Sequence, residues 1–422
     1  MITKLTNIKK HFHLYYNLVP QGHPLLRNSI YGILTALLFS AFIYLEHYGF
    51  TIKILNTLFG VLALALFLYM PKKAVLIAGF FIGLFWFYWI GYSFKYNGVG
   101  FLEPFVTLGF AIIYMLFFGV LALTNKVYIR AILLFGLSYF QPFDWNWLQI
   151  ELLFVDSYIG VLKYQLILVL LALSLPSYMK ARYTYAPLAL LLLALNFSTP
   201  LQKEAPLKIK LIPTNVTQDQ KWLQQSKNLL IKENLAQIQQ AIDEGYDLVL
   251  LPEACFPLYM NYHPQLTAKL QELSFKISIV AGALLREKEE NFNVTYFFEN
   301  GKYSIAKKMV LVPFGEYVPL PKFAQKVISD FFFDGQSDFT GAKEPTDFII
   351  KGVKFRNAIC YEATCQELYE GDIDFVLVSS NNAWFAPSIE PTIQKLLLRY
   401  YARKNGVTVY SAANYKGTGI VW

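Results

Sequence analysis

The stretch FRNAICYE, residues 355–362, decides how the second half of this chain is read. Residues 353–359 alternate as a half-buried strand does, and residues 361–369 carry the pattern of the first turns of a helix. Cys360 therefore falls at a predicted strand-to-helix corner. A thiol near the positive end of a helix has a lowered pKa and a larger thiolate fraction, as a nucleophile needs. The competing expectation is a buried cysteine that only packs.

Outward from that corner, strands are expected at 208–215, 247–252, 277–285, 295–298, 348–359, 375–380 and 407–413. Helices are expected at 220–244, 265–275 and 392–404. This alternation over residues 204–422 predicts a layered α/β domain with helices covering the sheet, and its length suffices for one core.

The first 200 residues are different in kind. The chain is 55% hydrophobic and 17% aromatic with a mean hydropathy of +0.37, too apolar for an ordinary soluble enzyme. Apolar runs at 29–46, 52–70, 74–94, 104–124, 127–143, 159–176 and 185–196 predict a membrane domain of about seven helices. Every second connection is basic: Lys4, Lys9, Lys10 and Arg27, then Lys72 and Lys73, then Lys126 and Arg130, then Lys180 and Arg182. The intervening ones carry Glu46, Glu103, Asp144, Glu151 and Asp156, with few cations beyond Lys53 and Lys95. The positive-inside rule then puts the N-terminus in the cytoplasm, and an odd number of spans puts residues 204–422 on the far side, the periplasm of a bacterium.

The first residues lack the compact apolar core and small-residue cleavage site of a removable signal, so the N-terminus is expected to be retained. Lys163 is expected to snorkel from a span end, with Gln165 and Lys163 lining a cavity as the alternative. Trp145 and Trp147 suit an interfacial belt or one wall of a lipid entrance. The net charge of +8 comes without a compact basic patch, zinc spacing or RNA-binding aromatic motif, so no nucleic-acid partner is expected.

Three segments of the polar half gather reactive residues where strands end. LVLLPEA puts Glu253 just beyond a buried strand, KKMVLVPFGEYVPL holds Lys308 and Glu316 around a Pro-Gly loop, and ICYE holds Cys360 and Glu362. A carboxylate, an ammonium and a thiol are the groups that acyl transfer uses. Glu253 can remove the thiol proton, and partial burial would raise its basicity. Lys308 can hold the cysteine as thiolate at rest and then stabilise the oxyanion, where losing one such donor costs about 3 kcal/mol. Cys360 can carry the acyl group as a thioester. Singly, each charge fits a solvated or ion-paired surface residue, and Glu362 fits a helix N-terminus; the conjunction carries the expectation.

Of the five histidines only His263 lies in the polar half, away from any motif, which disfavours a Ser-His-Asp or Cys-His pair. There is no P-loop, dinucleotide fingerprint or His-rich metal motif in the sequence. The three cysteines, Cys255, Cys360 and Cys365, make neither a disulfide framework nor a zinc spacing, and Cys255 and Cys365 are expected to pack.

LPEA, KMVLVPFGEYVPL, ICYE and SNNAWF stand in the order seen in nitrilase-type carbon-nitrogen hydrolases, whose triad is Glu, Lys and Cys. LVPFGEYVPL behind a multi-span domain resembles more specifically the apolipoprotein N-acyltransferase family of the bacterial inner membrane, strongly over residues 209–384. The resemblance implies a nitrilase-like αββα sandwich after the membrane helices, and a triad of Glu253, Lys308 and Cys360. It also implies supporting or substrate-binding positions at Glu316, Tyr361, Glu362 and Phe314, and at Trp222 on a mobile arm. The implied reaction moves an acyl chain from the sn-1 position of a phospholipid, commonly phosphatidylethanolamine, to the α-amine of a diacylglyceryl apolipoprotein. No metal or diffusible cofactor is implied. The apolar stretch 317–333, with Val318, Phe331, Phe332 and Phe333, is a candidate lid that keeps water from the thioester, or an ordinary packed loop.

The chain departs from the family pattern at Ala306, Asn382, Ala386 and in ANYKG. The family usually continues through a final span, whereas this sequence stops at Trp422, so that span is absent or the sequence is a shortened form. The alternatives are a membrane-tethered amidase or nitrilase with water as acceptor, and a silent scaffold that retained the fold. A transporter is disfavoured by the lack of broken-helix repeats and of polar groups at mid-membrane depth.

Overall fold

The computed structural model describes residues 23–196, 203–313, 315–317 and 339–422. These residues form two compact units. One comprises residues 23–91, 103–142 and 148–196; the other comprises residues 92–102, 143–147 and those from 203 onward. Two short stretches of the apolar half thus group with the polar half.

In the first unit, the apolar runs become α1 (Pro24–His47), α2 (Lys53–Tyr69), α3 (Lys72–Phe87), α4 (Glu103–Gly119), α5 (Val127–Leu137) and α6 (Lys163–Ser174). Among the described residues, Pro24–His47 and Gly100–Leu123 are long and apolar enough to cross a membrane. A third candidate is α3 with Ile90–Tyr96, a pair bent by 43°, and α2, α5 and Lys163–Tyr178 are shorter apolar helices. The run at 185–196 forms only short turns, Ala186–Ala189 and Leu190–Leu193.

Small residues set the closest helix contact. A Cβ on Gly79 would lie 2.6 Å from the Tyr114 carbonyl oxygen, and one on Gly83 would lie 2.7 Å from that of Phe110. The two glycines stand one turn apart on α3, so they let it press against the backbone of α4. Phe87 and Tyr114 then stack at 4.8 Å across the same contact.

Polar residues of this unit are used internally. The Lys163 ammonium does not snorkel: it pairs with the buried carboxylate of Glu151, bonds the Ser138 carbonyl at 2.5 Å and lies 4.2 Å from the Tyr139 ring centroid. A buried carboxylate left without a cation is costly, and this outweighs the pull of the headgroup region. Gln165 serves the start of α6, accepting from the Leu162 N–H at 3.0 Å and donating to the Ala194 carbonyl at 3.2 Å. Arg130, read above as a loop charge, is 1% exposed and donates to the carbonyls of Phe67, Leu68 and Met70 at the C-terminal end of α2.

The second unit is built on two five-stranded sheets. The first holds β1 (Ile209–Leu211), β2 (Leu248–Leu250), β3 (Ser278–Glu287), β4 (Glu290–Glu299) and β5 (Lys302–Lys307), in that order. The second runs β10 (Gly419–Val421), β9 (Thr408–Asn414), β8 (Phe375–Asn381), β7 (Val353–Ile359), β6 (Asp347–Ile350). Each has three parallel strands, β1 to β3 and β7 to β9, flanked by antiparallel ones.

Alternation along the strands assigns the faces. Leu248 and Leu250 share a core with Phe355, Phe375 and Leu377 of the other sheet. Val249 and Leu251 point the opposite way, into a core with Ile238 and Ala241 of α7 (Gln224–Asp243) and Leu270 and Leu273 of α8 (Pro264–Leu273). The last helix, α9 (Glu390–Asn405), follows β8. Burying each of these leucines contributes about 1.5–3 kcal/mol, so both faces of the first sheet stabilise the sandwich.

Two hairpins differ from expectation. The run 348–359 is two strands, β6 and β7, because Lys351 and Gly352 both have positive φ (46° and 83°) and reverse the chain. Strand β5 was not anticipated, since KYSIAK is polar and largely exposed. The Asn300-Gly301 pair before it, with φ of 51° and 73°, is the hairpin signal that betrays it.

Candidate active site

Glu253 stands three residues beyond β2, where the parallel strand ends. The chain turns sharply there, with Ala254 at φ 44°, and passes so close to β3 that a Cβ on Gly282 would lie 2.7 Å from the Glu253 Cα. Two contacts fix the residue. Its backbone carbonyl accepts from the Lys221 ammonium at 2.8 Å, and its Oε1 accepts from Asn293 Nδ2 at 2.6 Å.

Lys308 leaves the end of β5, its N–H donating to the Asn293 carbonyl at 2.9 Å. Its side chain is 1% exposed, with Nζ 2.7 Å from Glu316 Oε2 and 4.0 Å from Glu253 Oε1. Burial alone would lower the pKa of this ammonium, but the charges of Glu316 and Glu253 raise it above the usual lysine range and keep it charged. Glu316 closes its own tight turn, Oε2 accepting from the Val312 N–H at 2.9 Å. Asn293 Nδ2 also reaches Glu316 Oε1 at 3.1 Å, so one amide holds both carboxylates around one ammonium.

Cys360 follows β7 with φ 54°, a conformation costly for a residue with a side chain. The expected helix after it is replaced by two short 3-10 turns, Cys360–Thr364 and Gln366–Tyr369. The turn leaves the Cys360 thiol only partly buried. Burial and the Glu253 charge push it well above the ordinary cysteine value, and the opposing pull of Lys308 does not restore it. A five-residue turn has little dipole to offer, and loss of solvation disfavours the thiolate. Gln394 Nε2 approaches Sγ at 3.7 Å from α9.

Glu362 stands in the first turn of the 3-10 helix Cys360–Thr364, as a residue suited to a helix N-terminus, and does more than cap it. Its Oε1 accepts from the Ile359 N–H at 2.6 Å, and its Oε2 from the N–H groups of Met309 at 2.6 Å and Val310 at 3.2 Å. It ties the strand end before Cys360 to the segment after Lys308. Burial pushes it up to about 7, although Lys308 and the three backbone donors pull the other way.

Tyr361 is buried, and the expected belt residues explain how. Trp145 stacks on its ring at 5.5 Å and Trp147 at 6.3 Å, both tilted by 18°. Trp147 Nε1 donates to Thr364 Oγ1 at 3.0 Å, and Asn146 Nδ2 to the Thr364 carbonyl at 2.5 Å. Both indoles are buried, because the chain carries them onto the turn after Cys360.

Trp222 is 40% exposed, next to the short helix Gln218–Lys221. Phe314 and residues 318–338, most of the candidate lid, lie outside the described residues. Cys255 is buried with Sγ directed at the Gly282 carbonyl at 3.4 Å, and burial pushes its thiol up to about 12. Cys365 is buried beside Asn146. The structure thus brings together Glu253, Lys308, Cys360, Glu316 and Glu362. It adds Asn293, Lys221 and Gln394, polar residues in ordinary strand or helix patterns that nothing in the sequence marks out.

Chemically, this arrangement gathers a carboxylate, a thiol and a buried ammonium in a site where, among the described residues, acidic groups outnumber cations.

Residues 26–197 match the apolipoprotein N-acyltransferase integral membrane domain family, and residues 215–422 match the carbon-nitrogen hydrolase family. The chain is 43% identical to the apolipoprotein N-acyltransferase of Wolinella succinogenes over 92% of this chain and 94% of that one. It is 38% identical to that of Helicobacter hepaticus over 89% and 96%, and 35% identical to that of Campylobacter jejuni over 80% and 76%.

Proposed function

The chain belongs to the apolipoprotein N-acyltransferase family, and from that premise we propose that it N-acylates lipoproteins through a thioester on Cys360. The donor is a phospholipid giving its sn-1 acyl chain, phosphatidylethanolamine being the expected one. The acceptor is the α-amine of an N-terminal diacylglyceryl-cysteine.

The observation that supports this reading is the placing of Cys360, directly after β7, in one site with Glu253 and the buried Lys308 ammonium, which lies 4.0 Å from Glu253 Oε1. In the first step Glu253 takes the Sγ proton, and sulfur attacks the ester carbonyl carbon. The Lys308 ammonium faces the oxyanion, a role worth on the order of 3 kcal/mol. The C–O bond breaks, and Glu253 returns the proton to the departing lysophospholipid oxygen. In the second step the amine nitrogen attacks the thioester, the C–S bond breaks, and sulfur is reprotonated. Glu316, Asn293 and Glu362 hold these groups in place. The alternating basic connections support a membrane domain over residues 1–200 with a cytoplasmic N-terminus, and a periplasmic catalytic domain over residues 204–422.

The test uses detergent-solubilised protein and phospholipid labelled in its sn-1 chain. A hydroxylamine-sensitive label is expected on the wild type and not on Cys360→Ala, and it should move to a diacylglyceryl-cysteine peptide in a chase. Label lost equally fast to buffer would favour a hydrolase. Label on the alanine variant would remove Cys360 as the nucleophile.

A further inference from the structure

One ionisable group sealed into this site has no part in the steps above. Glu390 opens α9 and is 1% exposed, and its Oε2 has no hydrogen-bond partner among the described residues. It does not cap the helix, since its own N–H donates to Ser388 Oγ at 3.1 Å. Gln394 lies four residues on, on the same face of α9. That face is turned to the nucleophile, because Gln394 Nε2 reaches Cys360 Sγ.

The charged and titratable groups that act on it are Glu253 after β2 and Cys360 after β7. Burial and the charge of Glu253 hold the Glu390 carboxyl well above the usual range. A negative charge beside a buried carboxyl raises the cost of ionising it.

Proton balance gives this second carboxyl a task. Forming the thioester is proton-neutral: the thiol proton passes to Glu253 and on to the departing alcohol. Aminolysis is not. A lipoprotein α-amine arrives largely as an ammonium, and thioester plus ammonium gives thiol, amide and one released proton.

We propose that Glu390 is a second proton-handling carboxyl of the acyl-transfer site, coupled to Glu253, through which the proton released by the ammonium acceptor leaves. The ammonium gives one proton to Glu253, the N–C bond forms as the C–S bond breaks, and the second N–H proton goes to sulfur. Glu253 is then neutral and no longer repels an ionised Glu390. Glu390 loses its proton to water and takes the one from Glu253, which resets the site. This inference rests on the acyl-transfer reading above.

The experiment measures thioester formation and transfer to a diacylglyceryl-cysteine peptide separately, on full-length wild type, Glu390→Gln and Glu390→Asp, from about pH 6 to pH 9. In Glu390→Gln the ratio of transfer rate to thioester-formation rate should fall on the order of tenfold to a hundredfold near neutral pH. The deficit should shrink above about pH 8, where the acceptor is increasingly a free amine with no extra proton to shed. Glu390→Asp, which keeps a carboxyl, should recover the wild-type shape of the pH profile. An unchanged ratio in Glu390→Gln at every pH would overturn the proposal. So would an equal, pH-independent loss of both steps, or an aspartate variant no better than the glutamine one. Wild type that forms no thioester would instead overturn the acyl-transfer reading.

Discussion

The carboxylate of Glu362 accepts the backbone N–H of Met309 at 2.6 Å, joining the turn of the nucleophile to the residue after the buried lysine. The bond matters because Cys360 and Lys308 come from different sheets. Without a shared partner, small shifts of one sheet against the other would separate thiol and ammonium. Reacting groups misplaced by about 1 Å can lose two orders of magnitude in rate.

Glu362 also predicts a pH dependence of stability. Its folded value is raised to about 7 from 4.5, so between these values the folded chain holds a proton that the unfolded chain has released. Stability is therefore full below about pH 4.5 and falls as pH rises through about 7, by on the order of 3 kcal/mol for this group. Thermal midpoints of wild type and Glu362→Gln across that window check it. The wild-type midpoint should fall with pH more steeply than the variant's, and parallel curves would refute the assignment.

Removing the buried cation should cost more than removing the whole cluster. Lys308→Met leaves Glu316 and Glu253 facing each other in a dry site, and breaking such a pair costs about 3–5 kcal/mol. Adding Glu316→Gln should recover part of the thermal midpoint while thioester formation stays lost. A double variant less stable than the single one would show that the ion pair is not what Lys308 contributes.

The indole of Trp147 is expected to act on rate through Tyr361 and Thr364. Trp147→Phe keeps a ring over Tyr361 and removes the bond to Thr364 Oγ1, a loss of about 1 kcal/mol. Thioester formation should slow by a few-fold with little change in the half-saturating donor concentration. A change confined to donor affinity would instead favour a lipid-entrance role.

The α3–α4 contact predicts a sharp positional effect. Gly79→Leu and Gly83→Leu must push α4 away or leave their rotamers, and overpacking of this kind costs about 1–3 kcal/mol or more. Gly109→Leu, where an added Cβ meets nothing within 4 Å, should be tolerated. Yields of monodisperse detergent-solubilised protein separate the two cases, and equal yields would contradict the packing.

Much was legible before any coordinates. Apolar runs report helices in lipid because hydropathy over a spanning length is a local property, and strand alternation reports a half-buried sheet for the same reason. Glu253, Lys308 and Cys360 could be singled out because loops at strand ends concentrate reactive side chains within a few residues of Pro or Gly. What local pattern cannot carry is the partner of a polar residue far away in the chain. That Lys163 meets Glu151, that Trp145 covers Tyr361, that Asn293 spans two carboxylates and that Glu390 is buried with no partner on Oε2 are outcomes of chain packing. The state of the nucleophile belongs with them. A helix dipole argued for a thiolate, but only a five-residue turn follows Cys360, and burial and the charge of Glu253 push the thiol up, effects that exist only once the sheets are packed.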